Sequence, residues 1–355
     1  MKTVSNLGSI SAIDLFCGVG GMTHGLIKAG IPVTAGIDSD HTCRYAYEKN
    51  NRARFINADI RNFSSTEVEN LFNEAAVRIM VGCAPCQPFS NHTQKDKGRK
   101  SDEKWGLLYS FGRLIEDITP EIVSMENVPQ ITRHEVFDDF LSILDSLKYK
   151  ISYKHVYCPD YGVPQTRTRL VLLASRLGRI ELIPQTHVRS RYRDVRSIIG
   201  KLKPIGDGCA AEDDSMHKTQ RLSELNKARI LQSKPGGTWR DWDPDLVPNC
   251  FKKKTGKTYV SVYGRMEWDK LSPTITTQFF TYGTGRFGHP EQHRALSLRE
   301  GALLQTFPKY YRFFGPDNPV LFKRIGAHIG NAVPVRLGVV IGRSIKKHLE
   351  SHNRG

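Results

Sequence analysis

Cys86 is the residue of this chain whose surroundings best suit nucleophilic chemistry. It stands in the segment GCAPCQPFS, residues 82–90, where Pro85 and Pro88 restrict the backbone on either side of it. The apolar run at residues 77–81 leads into this segment and is typical of a buried strand in a parallel sheet. A thiolate held rigidly at the carboxyl end of such a strand is a nucleophile, so we predict that Cys86 bonds covalently to a substrate.

Two other interpretations apply to this cysteine. Cys83 and Cys86 form a C-x-x-C pair, which occurs in redox dithiols and as half of some zinc sites. The sequence has no second C-x-x-C pair to complete a four-cysteine zinc site, and Gln87 and Pro88 have no role in redox chemistry. We therefore expect neither function and no metal. A small buried cysteine in a proline-rich turn is the structural alternative.

A carboxylate and two arginines follow along the chain. The apolar residues 122–125 predict another buried strand, and Glu126 stands at its carboxyl end. The carboxyl ends of parallel strands meet at one edge of a sheet, so we expect Glu126 on the face that carries Cys86. Arg167 and Arg169 alternate before an apolar run, at a spacing that would project both side chains to one side of a strand. Taken singly, Glu126 also suits a helix cap, and the arginines suit a solvated strand end.

The N-terminal segment predicts a nucleotide-type unit of strand, turn and helix. Residues 11–16 have the pattern of a strand, Gly18, Gly20 and Gly21 form a glycine-rich turn, and residues 22–29 have the pattern of a helix. Glycine lets the backbone approach a ligand closely, and a helix N-terminus offers free amide groups. The spacing differs from the dinucleotide pattern G-x-G-x-x-G, so the turn indicates a ligand site without identifying the ligand.

Two acidic residues follow at the ends of the next apolar segments. Asp38 ends residues 33–37, where a ribose hydroxyl pair would be held, although a helix cap is the alternative. Asp59 ends a third short segment, where it would accept a hydrogen bond from an adenine amino group. Both positions favour a nucleoside at this edge of the predicted sheet.

Composition limits the class of protein. A chain of 355 residues forms one large or two unequal domains, and 39% hydrophobic residues are enough for a core. The net charge of +16 points to a polyanionic partner such as nucleic acid. The N-terminus has no apolar signal region, and no segment approaches the ~20 apolar residues of a membrane span. Seven scattered cysteines fit a reducing cytosol.

Taken in order, these segments resemble the motifs of the DNA cytosine-5 methyltransferases of the bacterial restriction-modification or orphan type. The resemblance rests on DLFCGVGG at residues 14–21, Pro-Cys-Gln at 85–87, Glu-Asn-Val at 126–128 and Gln-x-Arg-x-Arg at 165–169. With GNAVP at residues 330–334 it covers about residues 9–349. The chain departs from the family at Cys17, where a small residue is usual, and at Cys83-Ala84, where Gly-Pro or similar is usual.

The resemblance implies an α/β fold, namely the Rossmann-like, doubly wound sheet of the S-adenosylmethionine-dependent methyltransferases with a smaller, irregular target-recognition domain. It implies DNA cytosine-5 methylation in which Cys86 adds to carbon-6 of a flipped cytosine. Glu126, protonated or sharing a proton, would hydrogen-bond ring nitrogen 3. Arg169, with Arg167 in support, would stabilise the carbonyl oxygen.

The resemblance also implies which residues contact S-adenosylmethionine. Phe16 would stack near the adenine, Asp38 would hold the ribose, and Asp59 with Ile60 would recognise the adenine base. The predicted set is Asp14, Phe16, Gly18, Gly20, Gly21, Asp38, Asp59, Ile60, Pro85 and Asn331.

We expect three sections of chain. These are a catalytic and cofactor-binding domain at residues 1–180, a target-recognition domain at 181–288, and a C-terminal segment at 289–355 that returns to the catalytic domain. The middle section mixes basic, aromatic and glycine residues, which suits phosphate contacts and loops facing a DNA groove, with a solvated irregular domain as the alternative. The predicted DNA contacts are Gln87, Ser90, Arg240, Lys253, Thr276 and Arg286.

The implied partner is double-stranded DNA, and a cognate restriction endonuclease would act separately. We expect a monomer in the bacterial cytoplasm, at the nucleoid, without membrane association. Two alternatives stay open: methylation of transfer-RNA cytosine by the same fold, and a non-catalytic DNA-binding regulator. The catalytic motifs do not separate DNA from transfer RNA, whereas intact Cys86, Glu126 and Arg169 argue against a regulator.

Overall fold

The computed structural model describes residues 8–85 and 101–352, and in the second range it describes side chains from Gly106 onward. The chain divides into two compact units. We call them the sheet unit, which is the described part of residues 1–157, 168–186 and 333–355, and the irregular unit, which is residues 158–167 and 187–332. This division differs from the expected boundaries, because residues 289–332 group with the irregular unit and the chain rejoins the sheet unit only at residue 333. The functions assigned to the domains stay a prediction.

A seven-stranded sheet organises the sheet unit. Its strands are β1 (Ile10–Leu15), β2 (Val33–Asp38), β3 (Arg54–Asn57), β4 (Val77–Gly82), β5 (Ile122–Asn127), β6 (Lys150–Tyr157) and β7 (Thr168–Ser175). They lie in the order β3-β2-β1-β4-β5-β7-β6. The first five strands pair in parallel, and β7 runs antiparallel to both β5 and β6.

The apolar sequences of β4 and β5 explain why these strands are internal. Every residue of β5 is buried, and so is every residue of β4 except Arg78. Strands covered on both faces need apolar side chains throughout rather than an alternating pattern. The strand order reverses between β1 and β4, and in open α/β sheets ligands bind at the carboxyl ends beside such a reversal. The segments that follow β1 and β4 are therefore the ones placed to meet a ligand.

Helices connect the strands and make up most of the regular structure elsewhere. They are α1 (Gly21–Ala29), α2 (Arg44–Asn51), α3 (Ser65–Asn70), α4 (Ser101–Ile118), α5 (Glu135–Ser146), α6 (Val195–Ile199), α7 (Glu224–Gln232), α8 (Asn249–Lys252), α9 (Leu298–Leu304), α10 (Phe322–Asn331) and α11 (Val335–His352). The helix predicted near residues 22–29 is observed as α1.

Helix α11 returns to the N-terminal part of the chain. It packs closely on α1, because a Cβ added to Gly25 would lie 2.5 Å from the backbone of Gly338. By length and composition alone, Phe322–His352 could span a membrane, but 72% of its most apolar window is buried inside the protein, as in a core helix.

The irregular unit is held together by aromatic side chains and by buried arginines. Besides its short helices it contains the strand pair β8 (Ala210–Ala211) and β9 (Asp214–Lys218). Its main apolar cluster is Leu222, Ile230, Trp239, Trp242, Tyr282 and Ala295. Irregular backbone leaves carbonyl groups that need donors. Arg265, 2% exposed, supplies them by donating to the carbonyl oxygens of Ile230, Ser233, His289 and Gln292.

Candidate active site

Parallel strands bring the predicted motifs of the sheet unit to one edge. Leu15 at the end of β1 pairs with Gly82 at the end of β4, and Gly82 pairs with Met125 of β5. The segments that follow, with Phe16 after β1 and Glu126 near the end of β5, therefore lie beside one another. Cys86, Gln87 and Ser90 lie outside the described residues.

Glu126 is a buried carboxylate whose two oxygens differ. The residue is 2% exposed, and Oε2 accepts a hydrogen bond from the Cys83 thiol at 2.7 Å. Oε1 lies 3.2 Å from Nε of Arg169, an ion pair without hydrogen-bond geometry. Among the residues that the structure describes, Oε1 accepts no hydrogen bond. Burial of an oxygen with unused capacity is unfavourable, and at a functional site it indicates where a substrate atom binds.

The two arginines of the Gln-x-Arg-x-Arg motif occupy different settings. Arg169 lies in β7, beside Glu126, and its Nη1 donates to the carbonyl of Thr168 at 2.8 Å. Arg167 precedes β7 and belongs to the irregular unit, where its buried side chain donates to the carbonyl of Ile275 at 3.4 Å. Arg167 stands one residue before β7, where its amide donates to the Gln165 carbonyl at 2.7 Å, so only Arg169 of the two lies in the strand.

Asn127 supports the segment that leads to Cys86. Its Nδ2 donates to the carbonyl of Ala84 at 3.2 Å, and its Oδ1 accepts from the Val128 amide at 2.8 Å. Ala84 is buried and Pro85, the predicted cofactor contact, is exposed. The buried Asn127 side chain therefore links the segment after β4 to the segment after β5 and fixes the distance between them. Sequence reasoning quoted Asn127 as part of a motif but assigned it no role.

Asp14 is directed into the protein. It is 1% exposed, and Oδ2 accepts from the amide and the hydroxyl of Thr23 at 3.2 and 2.6 Å. Burial raises the pKa of Asp14 to about 7, although the bonds from Thr23 act in the opposite direction. The Thr23 hydroxyl also lies 3.0 Å from that of Tyr47, whose ring occupies the space that a side chain at Gly36 would need. These contacts close the glycine turn onto α1, and the sequence analysis missed both Thr23 and Tyr47.

The glycine turn has a strained and open backbone. Phe16 has φ of +59° and Gly18 has φ of +49°, the left-handed region that side chains disfavour. A Cβ added to Gly18 would meet no atom of the described residues within 4 Å, so this part of the chain leaves the space in front of Gly18 open. Gly20, with φ of +86°, begins α1, and Gly21 is the first residue of that helix. A ligand can therefore approach the backbone here.

Asp38 ties the second strand to this turn. Its Oδ2 accepts from the Gly18 amide at 2.8 Å and its Oδ1 from the Asp40 amide at 2.8 Å. The side chain is half-buried at the end of β2.

Asp59 and Ile60 differ in exposure and in contacts. Asp59 forms a bidentate pair with Arg61, and the hydrogen bonds from Arg61 lower the pKa of Asp59. Ile60 is 2% exposed and its side chain packs in the core. Recognition of a base by the Ile60 side chain is therefore unsupported. Arg61 was missed, although its charge two residues after Asp59 was visible in the sequence.

The predicted DNA contacts of the irregular unit fall into two groups. Arg240 Nη2 donates to the Lys257 carbonyl at 2.6 Å, and Arg286 Nη1 donates to the Gly237 carbonyl at 2.7 Å. Lys253 and Thr276 are exposed. Two of these residues thus hold loops together, and two present their side chains to solvent.

Asn331 ends α10 and is exposed, next to a tightly packed backbone crossing. A Cβ added to Gly330 would lie 2.4 Å from the Thr276 backbone. The buried Gln305 amide donates to the carbonyls of Ile329 and Ala332 at 2.7 and 3.2 Å, and it accepts from Gln165 at 2.9 Å. Two buried glutamine side chains therefore fix the backbone around Asn331, a role that sequence reasoning did not identify.

The strand order, the antiparallel β7 and the glycine turn at the reversal define an S-adenosylmethionine-dependent methyltransferase fold. The chain is similar to a prophage-encoded DNA modification methyltransferase from E. coli, with a TM-score of 0.73, 20% identity, and coverage of 96% of this chain and 100% of that one. It is also similar to the S. pombe Dnmt2 methyltransferase, with a TM-score of 0.65, 15% identity, and coverage of 96% and 99%. At these identities the similarity concerns the fold alone, and it confirms the predicted fold class.

The chain belongs to the family of C-5 cytosine-specific DNA methylases, whose sequence model matches residues 10–347. It is 54% identical over 348 residues to the Type II methylase M.HgiDII of Herpetosiphon aurantiacus, covering 97% of each protein. It is 30% identical to the Type II methyltransferase M.Eco47II of Escherichia coli, over 97% of this chain and 80% of that protein.

The protein is therefore an enzyme that transfers a methyl group to carbon-5 of cytosine in DNA, and a covalent cysteine mechanism is typical of its family. The predicted family and activity are confirmed. The two Type II relatives favour DNA over transfer RNA as the substrate, and an enzyme over a regulator.

Proposed function

We propose that this enzyme modifies one cytosine within a specific double-stranded DNA sequence in a restriction-modification system, with Cys86, Glu126 and Arg169 as its catalytic residues. The observation that carries the residue assignment is the buried Glu126, whose Oε1 lies beside Arg169 and accepts no hydrogen bond within the described part of the chain. The Type II names of the relatives support the restriction-modification context.

The chemistry explains the need for a thiolate. Carbon-5 of cytosine is too weak a nucleophile to take a methyl group directly. When Cys86 bonds to carbon-6, the ring double bond opens and carbon-5 becomes enamine-like, so that one difficult step becomes two easier ones. Once carbon-5 has taken the methyl group, a base, which we take to be water, removes the carbon-5 proton, the double bond re-forms and Cys86 leaves.

Glu126 and Arg169 stabilise the charge that this addition creates. Negative charge builds on ring nitrogen 3 and on the carbonyl oxygen. Glu126 Oε1 shares a proton with nitrogen 3 in a hydrogen bond, and the Arg169 guanidinium faces the carbonyl oxygen. Both side chains are largely buried, so water competes weakly for these contacts. Arg167 stays a supporting residue from the loop before β7.

A buried site of this kind requires the target base to leave the helix. Extrusion of a cytosine from duplex DNA costs a few kcal/mol of stacking and pairing. Contacts at ring nitrogen 3 and the carbonyl oxygen offset part of that cost and also select cytosine by its pairing edge. Gln87 and Ser90, which follow the nucleophile, stay predicted DNA contacts.

The glycine turn fits S-adenosylmethionine, which supplies the methyl group when bound. The open space at Gly18 admits a ligand to the backbone, and the carboxylates of Asp38 and Asp59 suit a ribose diol and an adenine amino group. Phe16, Gly20 and Gly21 complete this side. Asp14 acts by positioning the turn through Thr23. Pro85, Asn331 and the Ile60 backbone are assigned by resemblance to the family.

The irregular unit recognises DNA in this proposal. Lys253 and Thr276 are exposed and contact phosphates, whereas Arg240 and Arg286 hold the loops that carry such residues. The net charge of +16 suits a monomer that acts on DNA in the bacterial cytoplasm, at the nucleoid, with a cognate restriction endonuclease acting separately.

Bisulfite sequencing of DNA from cells that express the protein tests activity and sequence context together. We expect protected cytosines at one position of one recurring sequence. Protected cytosines without a shared context would contradict the sequence-specific part of the proposal.

A duplex that carries 5-fluorocytosine at that position tests the nucleophile. Fluorine cannot leave as a proton does, so the Cys86–carbon-6 bond should persist and trap the enzyme in a denaturation-resistant complex. Cys86→Ala should form no complex while it still binds S-adenosylmethionine in calorimetry, and Cys158→Ala is a matched cysteine control. An equally fast adduct with Cys86→Ala would refute the assignment.

A further inference from the structure

Cys83 lies directly beside the carboxylate that we assign to catalysis. Strands β4 and β5 run in parallel, and Gly82 pairs with Met125. Cys83, the residue after Gly82, therefore lies beside Glu126, the residue after Met125. The Cys83 Sγ donates to Glu126 Oε2 at 2.7 Å, and the Cys83 amide donates to the Leu15 carbonyl at 3.4 Å. Sequence comparison marked Cys83 only as a departure from the usual family pattern.

The thiol distinguishes the two oxygens of Glu126. A thiol is a donor toward a carboxylate oxygen. Because Oε2 accepts from Cys83, Oε1 is the oxygen left to face a substrate. Oε1 is also the oxygen that accepts no hydrogen bond among the described residues.

We propose that Cys83 is a positioning residue for Glu126: its thiol fixes the carboxyl plane and directs Oε1 toward ring nitrogen 3. This inference depends on the role proposed above for Glu126. The terminal torsion of a glutamate side chain is broad, so a donor on one oxygen is an effective way to set the plane of the group. Asn127 holds the neighbouring Ala84 carbonyl independently, so the backbone should keep its place when the Cys83 side chain is changed.

The test compares Cys83→Ala, which removes the donor, with Cys83→Ser, which keeps one. We expect Cys83→Ala to slow single-turnover methyl transfer and 5-fluorocytosine adduct formation by about tenfold, a modest effect for the loss of one hydrogen bond to a charged group. The KM values for DNA and S-adenosylmethionine and the thermal midpoint should stay unchanged, and Cys83→Ser should restore most of the rate. The exposed Cys209→Ala is the control for cysteine substitution as such.

Glu126→Gln, measured in parallel, separates the possible failures. If Glu126→Gln keeps the wild-type rate, the role of Glu126 fails and this inference fails with it. If Glu126→Gln is slow but Cys83→Ala reacts as fast as the wild type, only the inference about Cys83 is overturned. If Cys83→Ser is as slow as Cys83→Ala, the side chain acts by packing rather than as a donor, which also overturns it.

Discussion

Each unit of this enzyme contains a deeply buried glutamate, and the two differ in how their oxygens are used. Glu300 in the irregular unit is 1% exposed, and Arg294 donates to both of its oxygens, at 2.7 and 2.8 Å. The Ser297 amide donates to Glu300 as well, at 2.7 Å. Glu126 in the sheet unit is 2% exposed, but only Oε2 accepts a hydrogen bond from a described residue.

The difference separates a carboxylate that stabilises a fold from one that is placed for chemistry. Burial by itself would raise the pKa of Glu300, yet the charge and hydrogen bonds of Arg294 lower that pKa to about 2. Glu300 is therefore ionised and fully bonded, and it also completes the capping box that begins α9. Glu126 has an arginine at ion-pair distance, and its Oε1 accepts no hydrogen bond from a described residue. Burial alone does not distinguish the two cases, whereas incomplete hydrogen bonding does.

The largest effect should come from Glu126→Gln. The amide keeps the size of the side chain but cannot share a proton with ring nitrogen 3, so we expect turnover to fall about a thousandfold. DNA binding, measured by fluorescence anisotropy, and the thermal midpoint should be preserved. A rate within tenfold of the wild type would place Glu126 with Glu300, as a structural residue.

Glu300→Gln should reverse this profile. The buried Arg294 would lose its carboxylate partner, which costs about 3–5 kcal/mol when one member of a buried pair is removed. Urea unfolding should show this loss of stability, and the turnover of the folded protein should stay within a few-fold of the wild type. Unchanged stability would mean that the pair is dispensable and that the proposed contrast is mistaken.

The smallest effect concerns pH and His289. This buried histidine accepts hydrogen bonds at Nδ1 from the amides of Glu291 and Gln292, and its Nε2 lies 3.6 Å from Glu300. Burial lowers the pKa of His289 from 6.5 to about 4, although Glu300 acts in the opposite direction. The unfolded chain thus binds a proton between these values, and folding stability falls as pH decreases through that window.

We expect His289 to contribute a loss of roughly 2 kcal/mol between pH 7 and pH 5, measured as the change in the urea midpoint. His289→Gln keeps a polar side chain without a titrating ring and should flatten the profile. An identical pH dependence in both proteins would show that the titration of His289 makes no measurable contribution to the free energy of unfolding.

The sequence by itself indicated where several strands lie along the chain and which residues stand at their carboxyl ends. Near-continuous apolar runs indicated strands buried on both faces, and a glycine turn indicated the start of α1. The carboxyl ends of parallel strands meet at one edge of a sheet. These patterns were therefore enough to place Glu126, near the end of β5, at the predicted site. Local periodicity and motif order carried this information, and family resemblance supplied the chemistry.

Only the tertiary structure decided the partners of those residues. Cys83 meets Glu126 across 43 residues of sequence, and Asp14 is closed off by Thr23 rather than exposed to a ligand. Arg240 and Arg286, which stay predicted DNA contacts, each donate to a backbone carbonyl of a neighbouring loop. Such partnerships depend on strand register and on which buried carbonyls remain to be satisfied. Both are properties of the packed molecule, because a local pattern in the sequence does not specify which distant residues a side chain will contact.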